Sequence, residues 1–253
     1  LAEQILTGIR EEYFTPKGRC AVPTQTGLLL SVKYGLSPDA GRIGDDLANR
    51  LKLDGGMLKT GFVGTPLLCP VLTAAGHGDC AFNLLLNEDY PGWLYAVKLG
   101  ATTVWERWNS LDENGRISST GMNSLNHYSY GAVLEWIFRH VAGIDVTEQG
   151  PGGKMMRISP KVDHKLGSAS AVYDSASGCY RCGWQIENGD QITVTITVPF
   201  GAKAQVILPY APDSVYHDTD NPLFETVENG ICCVKAGQYT VTYKAASPLK
   251  KGY

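Results

Sequence analysis

Two different spacings of apolar residues divide the chain. From Leu1 to about residue 147 they recur at intervals of three and four, and from about Gly150 at every second position. The first spacing gathers side chains on one stripe of a helix, the second on one face of a strand. "LAEQILTGIREEYF" places Leu1, Ile5, Leu6, Ile9 and Tyr13 on such a stripe, and a second helical segment runs through "TQTGLLLSVKYG". In "DAGRIGDDLANRLKL", Ile43, Leu47 and Leu51 share one face while the two aspartates and Arg50 lie elsewhere, the pattern of an outer, amphipathic helix. "GTPLLCPVLTAAG" is apolar nearly all round and reads as an inner helix, with Thr65 as N-cap, Pro66 at the first helical position and a kink at Pro70. Short helices follow at "DCAFNLLLN" and "GWLYAVKLG", then a long one in "SLNHYSYGAVLEWIFRHVAG", where Glu135 and Arg139 stand at i,i+4. Outer amphipathic helices alternating with apolar inner ones predict helical hairpins in two layers. About six helices make part of a closed ring of such hairpins.

In the second half, "QITVTITV" alternates Ile192, Val194, Ile196 and Val198 with three threonines, a half-buried strand. "ENGD" at Glu187–Asp190 and "ENG" at Glu228–Gly230 are hairpin turn signals, "QYTVTY" alternates again, and "PFGAK" joins two further strands. Several short strands at regular spacing predict an antiparallel β-sandwich. The expected organisation is a helical domain over 1–147 and a β-sandwich domain over 148–253, joined through "EQGPGGK".

Composition narrows the function classes. Hydrophobic residues make up 43% and charged residues 19%, which fits a folded globular chain. The net charge of −3 comes without a basic stripe, so no nucleic-acid partner is expected. No apolar run reaches about 18 residues, so no membrane-spanning helix is expected either. The seven cysteines have irregular spacings and read as small strand or core residues, mostly reduced, which suits a reducing compartment. Cys179 and Cys182 in "CYRCGW" have metal-like spacing, but "CC" at Cys232 and Cys233 makes a poor second knuckle, so no metal site is expected. The chain starts inside a helical pattern with no initiator methionine, and the expectation is a longer polypeptide upstream.

"GATTVWERWN" carries the candidate chemistry: it sets one carboxylate, Glu106, among Trp105, Arg107 and Trp108. Indoles offer flat apolar faces to the C–H faces of a sugar and exclude water, and a neighbouring cation such as Arg107 favours an ionised carboxylate. The competing structural reading has Glu106 pairing with Arg107 or capping a helix. His127 is expected in the first turn of the last long helix, capped by Asn123 or Ser124. There a neutral imidazole can exchange a hydrogen bond with a sugar hydroxyl or a water, or simply pack. Trp93 in "YPGW" lines the same pocket or packs the core, Trp184 is expected to be buried, and Glu88, Asp89 and Asp112 read as solvated loop charges.

Three stretches together resemble the bacterial α-L-rhamnosidases: "GFVGTPLLCPVL", "DYPGWLYAVKLGATTVWERWNS" and "GMNSLNHYSYGAVLEWIFRHVAGI". The resemblance covers essentially the whole chain. It implies the second half of an (α/α)6 barrel followed by a C-terminal β-sandwich. It also implies hydrolysis of terminal α-linked L-rhamnose with inversion, without metal or cofactor. It assigns Glu106 as general base and His127 as a sugar contact; Trp93, Trp105, Arg107 and Trp108 are expected around the substrate on their own chemistry. The family's general acid falls upstream of Leu1, so the isolated chain is expected to be inactive and to need that missing part as its partner. The alternatives are another (α/α)-barrel glycosidase and a non-catalytic carbohydrate-binding or scaffold fragment.

Overall fold

The computed structural model describes residues 1–118, 121–218, 220–224 and 226–249. It divides into two compact units, one over 1–133 and the other from residue 134 onward.

The first unit is helical: α1 (Ala2–Tyr13), α2 (Gln25–Lys33), α3 (Ala40–Leu53), α4 (Thr65–Ala74), α5 (Gly78–Leu85) and α6 (Trp93–Lys98). As the spacing predicts, α3 buries Ile43, Leu47 and Leu51, and its N-cap Asp39 accepts from the Arg42 amide. Inner helix α4 buries Leu68, Cys69, Val71 and Leu72. Helix α2 packs on α3, α4 on α5, and α2 against α4, so two hairpins meet through their apolar members. Gly44 makes part of this packing possible, because a Cβ there would stand 2.6 Å from the Ala75 Cβ. On α1 no side chain is buried, and Ile5 is 53% exposed.

Two local expectations change. Gly64, not Thr65, precedes α4; Thr65 is its first residue, and its hydroxyl donates back to the Gly61 carbonyl at 2.9 Å. Helix α4 continues through Pro70, which lies inside it as the sequence predicts. The last helical stretch begins at Ser129, not before His127, with a 3-10 turn at Ser129–Ala132, α7 at Val133–Trp136 and a wider π-helical turn at Ile137–Val141. The predicted Glu135–Arg139 pair is present at 2.6 Å. Among the described residues of 99–128 none is helical, which leaves an irregular segment where the candidate chemistry lies.

The second unit contains two sheets. One has the order β3 (Ser168–Ser175), β4 (Gly178–Glu187), β5 (Gln191–Val198), β9 (Gly237–Lys244), antiparallel throughout. The other has the order β1 (Ile144–Val146), β2 (Met155–Ile158), β6 (Lys203–Val206), β8 (Ile231–Val234), β7 (Val227–Glu228). Here β2 and β6 run parallel, because the chain crosses to the other sheet for β3 to β5 before returning. Ile192, Val194, Ile196 and Val198 all point inward, meeting a core that includes Tyr180, Trp184, Met156, Ile158 and Val206. Asn229 and Gly230 turn β7 into β8 with positive φ at both positions (51° and 74°), the geometry an Asn-Gly turn supplies. The Gly/Pro-rich stretch at 148–154 is mostly exposed but buries Gly150 and Gly153, and the Tyr180 hydroxyl donates to the Gly153 carbonyl at 2.7 Å. On β4, Cys182 faces inward with Tyr180 and Trp184, and Cys179 three positions away faces outward, so the two thiols do not converge on one ion. Trp184 is buried, and its Nε1–H donates to the Val141 carbonyl at 2.7 Å.

Candidate functional site

The segment between α6 and Ser129 is ordered by hydrogen bonds to its own backbone. The Glu106 amide donates to the Ser124 carbonyl at 2.9 Å, and the His127 amide donates to the Val104 carbonyl at 2.7 Å. Thr103 Oγ1 donates to the Leu125 carbonyl. Buried Ser110 is the hub of the intervening loop: its hydroxyl accepts from the Arg107 amide and donates to Asn123 Oδ1 at 2.6 Å, while Asn123 Nδ2 returns to the Ser110 carbonyl at 2.9 Å. Residues 103–107 and 122–127 are therefore laid side by side without forming a regular strand pair.

Glu106 is half-buried, and its Oε2 accepts the Ser124 amide at 2.7 Å. Arg107 turns away from it and donates through Nη2 to the Met122 carbonyl at 2.6 Å. The two neighbouring charges thus take different partners, contrary to the pairing that adjacency suggests. Trp105 is buried. Trp108 stacks on Tyr130 with centroids 3.9 Å apart and planes at 4°, and Trp93 meets Trp108 edge-on at 5.3 Å while its Nε1–H donates to the Tyr130 carbonyl. Among the described residues, Trp108 Nε1 is buried without a hydrogen-bond partner.

A cavity of about 300 Å³ opens beside this aromatic cluster, lined by Trp93, Trp105, Arg107, Trp108, Tyr130 and the chain from Ala101 to Val104. Four of the six residues singled out from the sequence line it; Glu106 and His127 are not among its lining residues. Glu106 is nonetheless close enough for its charge to act on the Tyr130 phenol, which burial chiefly, then Tyr90 and Glu106, push above the usual tyrosine value.

His127 lies two residues ahead of the helical stretch, and its Nδ1 accepts the Ser129 amide at 3.3 Å. The ring thus serves the helix start that Asn123 or Ser124 was expected to cap. With Nδ1 as acceptor, the proton of a neutral ring sits on Nε2. The imidazole lies nearly parallel to Phe62 (4.9 Å, 15°) and to Tyr128 (5.3 Å, 9°). Phe62, Tyr130 and Ser124 were not singled out from the sequence as functional. Phe62 stands in "GFVGTP" and the other two in the "SLNHYSY" run, so both motifs held the signal. Glu88 pairs with Lys98 at the surface, and Asp112 closes a loop onto the Asn114 and Arg116 amides; both are the loop charges expected.

Comparison with known proteins places these residues in context. Residues 1–141 match the family model described as the bacterial α-L-rhamnosidase 6 hairpin glycosidase domain, and residues 143–221 match the bacterial α-L-rhamnosidase C-terminal domain. The α-L-rhamnosidase of Alteromonas sp. (strain LOR) is 38% identical over 220 residues, covering 85% of this chain and 23% of that protein. The Streptomyces avermitilis α-L-rhamnosidase is 35% identical over 240 residues, 94% of this chain and 23% of that one. A crystal structure of the S. avermitilis enzyme complexed with L-rhamnose superposes with a TM-score of 0.85 at 32% identity, over 96% of this chain and 24% of that one. The native Aspergillus terreus α-L-rhamnosidase gives a TM-score of 0.81 at 28% identity, over 96% of this chain and 26% of that one. The chain thus spans about a quarter of the length of the relatives it matches.

Proposed function

Since the chain belongs to the bacterial α-L-rhamnosidase family, we propose that it supplies the general base and part of the sugar pocket of an inverting α-L-rhamnosidase. In this reading residues 1–147 are the second half of the catalytic (α/α)6 barrel and 148–253 its C-terminal sandwich. The general acid comes from the remainder of the polypeptide. The substrate is a glycoside with terminal α-linked L-rhamnose.

One observation carries the assignment of Glu106. Its carboxylate is held through Oε2 by a backbone amide, half-buried, beside an indole-lined cavity. The fixed oxygen orients the group and leaves Oε1 to accept a proton from water. Inversion requires that water between the base and an acid roughly 6.5–9.5 Å away across the sugar. Trp93, Trp105 and Trp108 then present apolar surface to the ring, and Arg107, spent on the Met122 carbonyl, holds the loop that carries Ser124. His127 offers Nε2–H to a sugar hydroxyl.

The test is release of nitrophenol from a nitrophenyl α-L-rhamnoside by the complete polypeptide. Glu106→Gln keeps the side-chain shape and removes the base, so turnover is expected to fall by about 10²–10⁴-fold. The isolated 253-residue chain is expected to be inactive for want of the acid. Near-normal turnover by the variant would remove Glu106 from the mechanism, and turnover by the isolated chain would place the acid within these residues.

A further inference from the structure

Phe62 sits in the loop between α3 and α4, far in sequence from the candidate site. Both flanks of that loop are tied down. Buried Gln25 donates to the Met57 carbonyl at 2.9 Å and accepts from the Lys59 amide at 3.0 Å. On the other side Thr60 and Thr65 hydroxyls meet at 2.8 Å, and Thr65 also holds the Gly61 carbonyl. The loop therefore delivers the Phe62 ring at a fixed place. That ring lies against His127 at 4.9 Å and 15°, and tilted against Tyr130 at 5.4 Å and 53°.

Phe62 is 45% exposed, so it is no core residue, and little of the fold's burial depends on it. Its position matters more for what it does to the imidazole. The His127 backbone is anchored on Val104, the Ser129 amide reaches Nδ1 at 3.3 Å, a long contact, and the parallel Tyr128 ring at 5.3 Å is itself 86% exposed, so these together leave the imidazole some freedom to tilt. A flat aromatic face alongside removes that freedom and aims Nε2–H in one direction. Leucine or methionine would fill similar space without offering a plane.

Resting on the reading of His127 as a sugar contact, we infer that Phe62 is a positioning residue: it holds the His127 ring through the parallel face contact and so fixes the direction of its Nε2 donor. Small misplacements of such groups cost up to about 10²-fold in rate. For the complete polypeptide hydrolysing a nitrophenyl α-L-rhamnoside, Phe62→Leu is expected to lower kcat/KM about 10-fold, and Phe62→Tyr, which keeps the face, to stay within about 2-fold of wild type. A double-mutant cycle separates positioning from structure: in a His127→Ala background, Phe62→Leu is expected to change kcat/KM by less than about 2-fold, there being no ring left to aim. If Phe62→Leu lowers the melting temperature appreciably, Phe62→Met carries the same cycle. Equal losses in both backgrounds, or a loss in Phe62→Tyr as large as in Phe62→Leu, would overturn the inference. Full turnover by His127→Ala with Glu106→Gln still inactive would remove its premise alone; full turnover by both would remove the proposed function as well.

Discussion

The loop that carries Phe62 hangs on one buried carboxylate, and replacing Asp54 by Asn tests how much. Asp54 accepts from Arg50 Nε and Nη2 (2.9 and 2.5 Å), from Lys59 Nζ (2.9 Å) and from Gln25 Nε2 (2.9 Å), with its own side chain 2% exposed. The Arg50 hydrogen bonds first, then those of Lys59 and Gln25, hold its carboxyl well below the usual carboxylate range, against the opposing pull of burial. Asparagine keeps one acceptor but turns its amide nitrogen towards two donors, whichever oxygen it replaces. Removing one partner of a fully buried pair costs about 3–5 kcal/mol. Here the Arg50 and Lys59 side chains are 36% and 51% exposed and regain water when released, so the loss for Asp54→Asn is set lower, at about 2 kcal/mol. At about 1.4 kcal/mol per tenfold, that is roughly 30-fold faster opening. Hydrogen exchange reads it directly, because the Lys59 amide donates to Gln25 Oε1 inside this cluster. Peptides covering residues 55–64 should exchange roughly 30-fold faster in the variant, while those of β4 and β5 stay unchanged. A depressed folded value means the stabilisation is present above the ordinary carboxylate value, about 3.9, and is lost as pH falls through the folded one. After correction for intrinsic exchange, wild type and variant should therefore converge in strong acid. Equal protection at neutral pH would refute the claim that Asp54 holds this loop.

Two further outcomes follow from buried groups elsewhere. Trp184→Phe removes the buried indole donor of the Val141 carbonyl and should lower the stability of the sandwich unit by about 1–3 kcal/mol in denaturant titration; an unchanged midpoint would sink that expectation. Burial pushes the Cys69 and Cys182 thiols up to about 12, whereas Cys233 is exposed, so a maleimide at pH 8 should label Cys233 in the native chain and reach Cys69 and Cys182 only after denaturation. Peptide mapping showing Cys182 modified as fast as Cys233 would contradict the buried placement.

What was legible in the sequence was whatever one buried face imposes on a period. Ile43, Leu47 and Leu51 come every four residues because α3 has a single covered side, and Ile192 to Val198 alternate because β5 has one. Asn229-Gly230 was legible for a different reason: few other residues accept positive φ at two successive positions. The parallel β2–β6 pairing left no such mark, since it depends on where the chain goes between Ile158 and Lys203 and not on either strand's own pattern. Thr65 misled for a local reason: a threonine ahead of Pro66 fits an N-cap, but its hydroxyl is satisfied one turn back, by Gly61.

The candidate site was least legible where it is built from contacts without a period. Residues 101–123 read as a link between helices and Ser124–Tyr128 as the start of one, yet the order of this segment comes from single bonds such as Ser110 to Asn123 and Glu106 to Ser124, joining residues 13 and 18 positions apart. A carboxylate fixed by a backbone amide so distant in the chain cannot be inferred from spacing, and adjacency pointed to Arg107 instead. Glu106 and His127 stand out as candidates because they sit in recognisable motifs; nothing in the spacing around Phe62 marks it in the same way. Its exposure and its parallel approach to His127 become visible only when the α3–α4 loop and the segment ahead of Ser129 are brought together. The same physics explains why Gln25 belongs to the site at one remove. A buried amide that spends its oxygen on Lys59 and its nitrogen on Asp54 and Met57 has no freedom left, and that rigidity passes along the loop to the ring that faces the imidazole.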